Sequence, residues 1–171
     1  PLSINSLRED LQLAHGTVSK WLLIFERLYV IFRIPPFVNS KLRSVKKEQK
    51  HYHWNWALVE DPAKRFENFV ASHLLKWVDY QKDVEGEVFE LTYFRDRDDH
   101  EVDFVILHKR KPVYFIECKL SNSTISKSLT YLKNKFPKVQ ALQLLWEPKK
   151  EFVSDNGIRV MSAVRFLKSL V

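Results

Sequence analysis

The densest chemistry in the chain lies in Glu101-Val-Asp-Phe-Val-Ile-Leu-His-Lys-Arg-Lys-Pro-Val-Tyr-Phe-Ile-Glu-Cys-Lys119. Two runs rich in β-branched and aromatic residues flank a basic triplet, which predicts a β-hairpin. With Lys109-Arg110-Lys111 as the loop, Leu107 faces Val113, Val105 faces Phe115, Asp103 faces Glu117 and Glu101 faces Lys119. Side chains alternate along a strand, so these pairs share one sheet face. The other face, with Val102, Phe104, Ile106, Tyr114, Ile116 and Cys118, is almost wholly apolar. A hairpin covered on both sides belongs in the centre of an α/β core. Two carboxylates set opposite each other repel, and apolar cover worsens the conflict. A divalent cation between them resolves it, because Mg²⁺ prefers hard oxygen ligands and keeps several waters. Lys119 follows Glu117 by two residues and reaches the same point. An Asp, a Glu and a Lys on one metal suit phosphodiester hydrolysis: the metal activates a water and the lysine steadies developing negative charge. The competing reading is a structural salt-bridge cluster, with Glu101 satisfying Lys119 and Glu117 reaching Arg95 or Arg97.

A fourth carboxylate comes from a predicted helix. Glu67 falls beside Leu74 and Val78 at the edge of a buried stripe, where it is either a partner of the helix dipole or a site ligand. Basic residues form a second group. Lys41-Leu-Arg-Ser-Val-Lys-Lys-Glu-Gln-Lys50 carries five cations against Glu48. Lys41, Arg43, Lys46, Lys47 and Lys50 are therefore candidates for backbone phosphates, and the alternative is a solvated loop. An earlier helix would expose His15, Thr17, Ser19 and Lys20. Lys20 is its one cation, so groove reading and domain packing both fit. His51 and His53 share a strand face with no third ligand nearby and read as strand packing. His73 and Cys118 read as core.

The elements that must position these groups follow from periodicity. Ile4, Leu7 and Leu11 mark a first helix; Val18, Trp21, Leu22, Phe25 and Leu28 mark the apolar stripe of a second. Strands are predicted at Tyr29–Ile34, stopped by Pro35-Pro36, and at His51–Trp56. Helix, turn, helix and ribbon resemble a winged helix lacking its first helix. Asp61 as N-cap and Pro62 at the first helical position start a helix reaching about Tyr80. Strands at Val88–Phe94, Glu101–Leu107 and Val113–Lys119, a helix at about Asn122–Phe136 and a strand at Val139–Trp146 follow. A short strand near Ile158–Met161 and a helix near Val164–Leu170 close the chain. From residue 62 the order is α-β-β-β-α-β, so the division expected is a partial winged helix over 1–60 and an α/β domain over 61–171.

Composition bounds the rest. The 171 residues carry a net charge of +7, which favours an anionic partner. Three glycines, far apart, exclude both GxxxxGK[ST] and GxGxxG, so this chain has no nucleotide-phosphate loop and no ATPase site. One cysteine excludes a disulfide framework and cysteine-rich zinc sites, consistent with a reduced, cytoplasmic setting. The longest apolar runs fall well short of the roughly 18 residues a membrane span requires. The chain opens on Pro1 and is expected to be a piece of a longer protein.

Glu67, Asp103 and Glu117-x-Lys119 on an α-β-β-β-α-β frame resemble the PD-(D/E)XK nuclease superfamily, whose fold is restriction-endonuclease-like. More narrowly, Tyr52-His-Trp-Asn-Trp56, Arg65-Phe-Glu-Asn-Phe-Val70, Glu101-Val-Asp-Phe104 and Ile116-Glu-Cys-Lys119 are similar to the C-terminal half of prokaryotic AAA-type ATPases. In that group an ATPase domain is followed by a winged helix and a nuclease-like domain. The resemblance covers nearly the whole chain. It implies that Asp103 and Glu117 hold Mg²⁺ or Mn²⁺, that Lys119 assists the attacking water, and that Glu67 orients the site or binds through water. It also implies nucleic acid, DNA foremost, as substrate and an ATPase domain as partner. The alternative it leaves is a non-catalytic module that binds nucleic acid or protein for such an ATPase. Two features depart from the group: Asn55 stands where relatives carry an aspartate, and the helix after Lys119 offers Ser128, Thr130 and Tyr131 but no glutamine or arginine.

Overall fold

The computed structural model describes residues 4–39, 42, 49–121, 124–148 and 150–170. In chain order the elements are α1 (Ile4–Asp10), α2 (His15–Arg27), β1 (Ile31–Ile34), β2 (Lys50–His53), α3 (Pro62–Asp83), β3 (Phe89–Arg95), β4 (Glu101–His108), β5 (Lys111–Lys119), α4 (Lys127–Lys135), β6 (Gln140–Leu145), β7 (Phe152–Val153), β8 (Ile158–Ser162) and α5 (Ala163–Lys168). A single 3-10 turn, Trp56–Leu58, precedes α3. The cap at α3 is the expected one: the Asp61 carboxylate accepts the Lys64 N–H at 2.9 Å and Pro62 fills the first turn.

The fold is mixed α/β. A six-stranded mixed sheet has the order β3-β4-β5-β6-β8-β7, and β1 pairs antiparallel with β2 in a separate hairpin. β3, β4 and β5 form an antiparallel meander, whereas β5, β6 and β8 run parallel. The parallel step requires a crossover, and α4 supplies it between β5 and β6. β7 is a short edge strand that periodicity missed, because two residues carry no pattern.

The central hairpin differs from expectation at its tip. The loop is the two residues Lys109-Arg110, both with positive φ (49° and 65°), and His108 pairs with Lys111. Two left-handed residues match the twist of the flanking strands, which is why two-residue loops prefer that geometry. A bulge between Ile106 and Leu107 then absorbs one residue, so Val105↔Phe115 and Phe104↔Ile116 keep the expected register. The error at the turn is cancelled within three residues.

Two apolar layers sandwich the sheet. On one face α3, α5 and the β1–β2 hairpin pack Phe66, Val70, Leu74, Phe166, Phe32, Ile34 and Tyr52 against Phe104, Ile106, Ile116 and Leu144. On the other, Leu129 and Leu132 of α4 meet Val102, Val105, Phe115 and Ala141. The segment after β1 passes along the outer strand: Phe37 N–H donates to the Tyr93 carbonyl, Tyr93 N–H donates to the Pro35 carbonyl, and Phe37 joins the second layer. The core therefore runs across the boundary expected at residue 60, because Phe32, Ile34 and Tyr52 belong to the main cluster.

Several assignments of core residues change. Val102, expected on the face of Phe104 and Ile106, joins Val105 and Phe115 in the second layer, and Val113, expected there, packs on the first, because the register shifts along β4 re-aim these side chains. On α2 only Val18 and Leu22 are buried, while Trp21, Phe25 and Leu28 are 45%, 44% and 66% exposed. The helix packs against one small cluster, with Ile31, Leu7 and Leu13, which covers a single narrow stripe. His73 is exposed rather than core; its Nδ1 lies 2.9 Å from the Phe69 carbonyl and its ring packs on Phe69. Among the described residues no helix is long and apolar enough to cross a membrane.

Candidate functional site

The site forms where β4 and β5 stop pairing. Registered partners end at Phe104↔Ile116, and the next residue, Asp103, uses its side chain: Oδ2 accepts the Cys118 N–H at 2.9 Å. A carboxylate thus takes the place of a ladder hydrogen bond and is fixed in direction. Glu117 and Lys119 lie on the same strand beyond this point. The Lys119 ammonium is 2.8 Å from Glu117 Oε1. Glu117 is nearly buried, and its Oε2 has no hydrogen-bond partner among the described residues.

The other carboxylates gather around a residue expected to face nucleic acid. Lys50 is only 5% exposed, at the start of β2. Its Nζ lies 2.7 Å from Glu101 Oε1, 3.0 Å from Glu67 Oε1 and 3.4 Å from Asp103 Oδ1. Its buried position follows from Tyr52, two residues on and on the same strand face, which is sunk in the main core beside Phe32 and Phe104. The Tyr52 hydroxyl donates to Glu67 Oε1 at 2.6 Å, so β2 holds the α3 carboxylate twice. Asn68, the residue after Glu67, clasps the same strand: its Oδ1 accepts the His53 N–H at 2.8 Å and its Nδ2 donates to the His53 carbonyl at 2.7 Å.

The electrostatics follow from this crowding. Burial raises the Asp103 carboxyl well above the usual aspartate range, and Glu67 and Glu117 push it further; Lys50 and the Cys118 N–H oppose them. Burial pulls Lys50 down, yet Asp103, Glu67 and Glu101 together outweigh it and hold the ammonium far above the ordinary lysine range. Lys119 shows the same balance more mildly, with burial opposed by its hydrogen bond to Glu117 and the charges of Glu117 and Asp103. Both lysines are cations at neutral pH. Burial, then Glu67 and Asp103, also push the Tyr52 hydroxyl up, so it stays protonated and donates to Glu67.

Two clefts open onto the cluster. One of about 370 Å³ is lined by Glu67, Asp103, Cys118, Lys119, Lys64 and Ser121 among others. The second, of about 530 Å³, is lined by Lys50, Tyr52, Glu67, Asn68, Glu101 and Lys64 among others. The cluster therefore touches solvent through Glu67, Asp103 and Lys119.

Of the expected site residues, Asp103, Glu117, Lys119 and Glu67 lie in this one region. Asp103 and Glu117 do not form the expected direct pair: Asp103 turns to Lys50 and Cys118, and Glu117 turns to Lys119. Glu101 pairs with Lys50, and with Arg95 at 3.8 Å, rather than with Lys119, because the ladder ends before it could face that residue. Lys50 is displaced from the basic set into the site, since its strand is buried. Lys20 is exposed on α2. Lys41, Arg43, Lys46 and Lys47 lie outside the described residues.

Gln143 was not anticipated. It is fully buried on β6, in register with Glu117; its Oε1 accepts the Ser126 N–H at 3.0 Å and its Nε2 has no partner among the described residues. A glutamine thus stands beside Glu117 from the neighbouring strand, not from the helix where one was sought. The signal available was a lone amide inside Ala141-Leu-Gln-Leu-Leu145. For Lys50 it was the alternation Lys50-x-Tyr52 at a strand start.

Among the described residues, no group of three or more His, Cys, Asp or Glu side chains is arranged to hold a metal ion. A two-carboxylate set is a smaller demand. Asp103 and Glu117 are hard oxygen donors, one of them with a buried oxygen that has no partner among the described residues, and Mg²⁺ is commonly bound by one or two carboxylates plus waters and phosphates. The donor chemistry fits such an ion.

Comparison with known proteins places the chain. Neither the curated proteins nor the solved structures give a match. Residues 1–66 match the family described as Domain of unknown function (DUF8612), and residues 64–166 match Domain of unknown function (DUF4143). The change of family falls close to the boundary expected at residue 60, although the core crosses it. With the larger part of its length matched, the chain belongs to the DUF4143 family, a domain found in the C-terminal regions of AAA-ATPase-containing proteins.

Proposed function

We propose that this chain carries a PD-(D/E)XK-type nuclease domain with a restriction-endonuclease-like core, preceded by a partial winged helix. It hydrolyses nucleic-acid phosphodiesters, DNA foremost, with Mg²⁺ or Mn²⁺, in the service of an AAA-type ATPase. The observation that carries this reading is the buried Oε2 of Glu117 beside Lys119, without a partner among the described residues, next to a carboxylate at Asp103 held in an unfavourably negative setting. An uncompensated buried carboxylate oxygen costs free energy unless a cation or donor reaches it. Asp103 and Glu117 would hold the ion, which when bound supplies a Lewis acid and an activated water.

The chain's own groups support the remaining roles. Lys119 stays protonated at neutral pH, so it cannot act as a base; its ammonium, partly exposed in the cleft, orients a water and stabilises negative charge on the phosphate. Glu67, pinned by Tyr52 and Lys50, sets the edge of the cleft and orients the site. The net charge of +7 favours a polyanion. The test is cleavage of single- and double-stranded DNA with and without Mg²⁺ or Mn²⁺. Wild type should cut only with metal, and Asp103→Asn and Lys119→Met should each lower the rate at least about 100-fold, the scale of losing one transition-state electrostatic contact. Equal cutting by all three proteins would defeat the reading.

One observation favours a second reading, a non-catalytic module that binds nucleic acid or protein for the ATPase. The Lys50 ammonium already lies among three carboxylates and neutralises part of the cluster without metal. Salt-sensitive DNA affinity in a protein that never cuts would select it.

A further inference from the structure

We propose that Lys50 is a built-in counter-cation that sets the metal affinity of the site: its ammonium, lodged within 3.4 Å of Glu67, Glu101 and Asp103, competes with a divalent cation and must leave Asp103 before one binds. This rests on the reading of Asp103 and Glu117 as the ion's ligands.

Three observations support competition rather than cooperation. Lys50 Nζ points at Asp103 Oδ1, while Oδ2 is occupied by the Cys118 N–H, so both oxygens of the ligand are engaged. A divalent ion on Oδ1 would sit against an ammonium a few ångströms away, in a place where screening by water is weak. Lys50 is also anchored elsewhere. Its shortest contact is to Glu101, which is not one of the two ion ligands, so the ammonium can retreat to Glu101 without losing all partners. Lys119 differs: it is partly exposed and pairs with Glu117 Oε1, and among the described residues nothing engages Oε2. Of the two lysines, Lys50 is therefore the one in the ion's way. Its strand belongs to the segment before residue 60, so metal loading of the DUF4143 portion depends on a residue from the other family segment.

The ion's arrival also has a structural cost. Removing Lys50 leaves Glu67 and Asp103 without their shared ammonium and Glu101 with Arg95 alone among the described residues, at 3.8 Å, so a variant without the lysine should gain more stability from a divalent ion. The wild type carries its own.

The experiment has two arms on the full chain. In the first, Mn²⁺ binding is measured directly by electron paramagnetic resonance for wild type, Lys50→Met, and Lys64→Met as a control that removes a charge lining the same clefts. Lys50→Met should bind at least about tenfold more tightly, a conservative floor for removing a unit charge beside a cation in a poorly screened site. Lys64→Met should change by less than about threefold, since an exposed charge is screened. The melting temperature of Lys50→Met should rise with Mn²⁺ far more than that of wild type. In the second arm, which does not depend on the folding of Lys50→Met, wild type is treated with an amine-reactive acylating reagent and Lys50 modification is read by mass spectrometry. Saturating Mg²⁺ should expose Lys50 and raise its labelling severalfold over sodium chloride of equal ionic strength, and Asp103→Asn should abolish the rise. Mn²⁺ binding by wild type with unchanged labelling, or equal or weaker affinity in a folded Lys50→Met, overturns the proposal and leaves the metal site standing. No Mn²⁺ binding by either protein overturns both.

Discussion

His51 illustrates how a single side chain in the hairpin couples stability to pH. It lies directly across from Arg33 in the β1–β2 register. Burial first, and the Arg33 charge second, lower its pKa from the ordinary value near 6.5, against a smaller opposing pull from Glu26. A depressed folded-state pKa means that the unfolded chain binds the proton more readily. The contribution of His51 is therefore complete above about 6.5 and lost as pH falls through the lower, folded value. Melting temperatures recorded from pH 7 to pH 5 should fall in wild type and fall less steeply in His51→Phe; parallel curves would remove His51 from the acid transition. The same scale explains why Lys50 matters. A cation in a buried place is tolerated while it keeps carboxylate partners, and Lys50 has three of them, the nearest being Glu101.

At the scale of elements, two devices position the site. Asn68 acts as a surrogate strand for β2, giving and taking one hydrogen bond with the His53 backbone from within α3. Asn68→Ala should destabilise the chain by about 1–3 kcal/mol, the cost of leaving such backbone groups unpaired, read from the denaturant midpoint. It should also loosen Glu67, its neighbour. The tip of the β4–β5 hairpin carries the opposite lesson. Lys109 and Arg110 both adopt positive φ, where L side chains are strained, while Asn-Gly is the favoured pair for that turn. The double substitution Lys109→Asn/Arg110→Gly should stabilise by about 1 kcal/mol without moving the register, because the bulge at Ile106/Leu107 fixes it. A destabilised variant would show that the Lys109–Glu87 ion pair outweighs backbone strain.

At the scale of the molecule, the main core is shared between the two family segments, and only the small cluster under α2 belongs to the first alone. Phe32, Ile34 and Tyr52 from the first pack in one cluster with Val70, Leu74 and Phe104 from the second, and Pro35–Phe37 lines the outer strand of the sheet. Residues 61–171 alone would expose this cluster and lose two of the side chains, Lys50 and Tyr52, that hold Glu67. That fragment should show no cooperative thermal transition, or aggregate, whereas the full chain melts in one step; a stable, two-state fragment would show the segments to be independent.

The legible part of this protein is whatever local periodicity and capping decide. Asp61-Pro62 started α3 where expected, the alternation through Val102–Leu107 and Tyr114–Cys118 produced the central hairpin, and the pairing of Phe104 with Ile116 followed from counting residues across one loop. That was enough to bring Asp103, Glu117, Lys119 and Glu67 into one region. What counting could not supply was the end of the ladder. Where β4 and β5 part, partners are chosen by three-dimensional proximity, so Glu101 went to Lys50 and not to Lys119, and Asp103 to the Cys118 N–H. Lys50 itself read as one more cation in a basic run, because charge patterning cannot tell a solvated lysine from one dragged inward by a neighbouring tyrosine in a core. Likewise α2 presented one apolar stripe in sequence, yet only Val18 and Leu22 found cover. The chain's periodicity determined the principal helices and strands and most of each shared face; only the tertiary packing decided that Val102 and Val113 change sides and which charges meet, because burial and ion pairing depend on segments far apart along the chain.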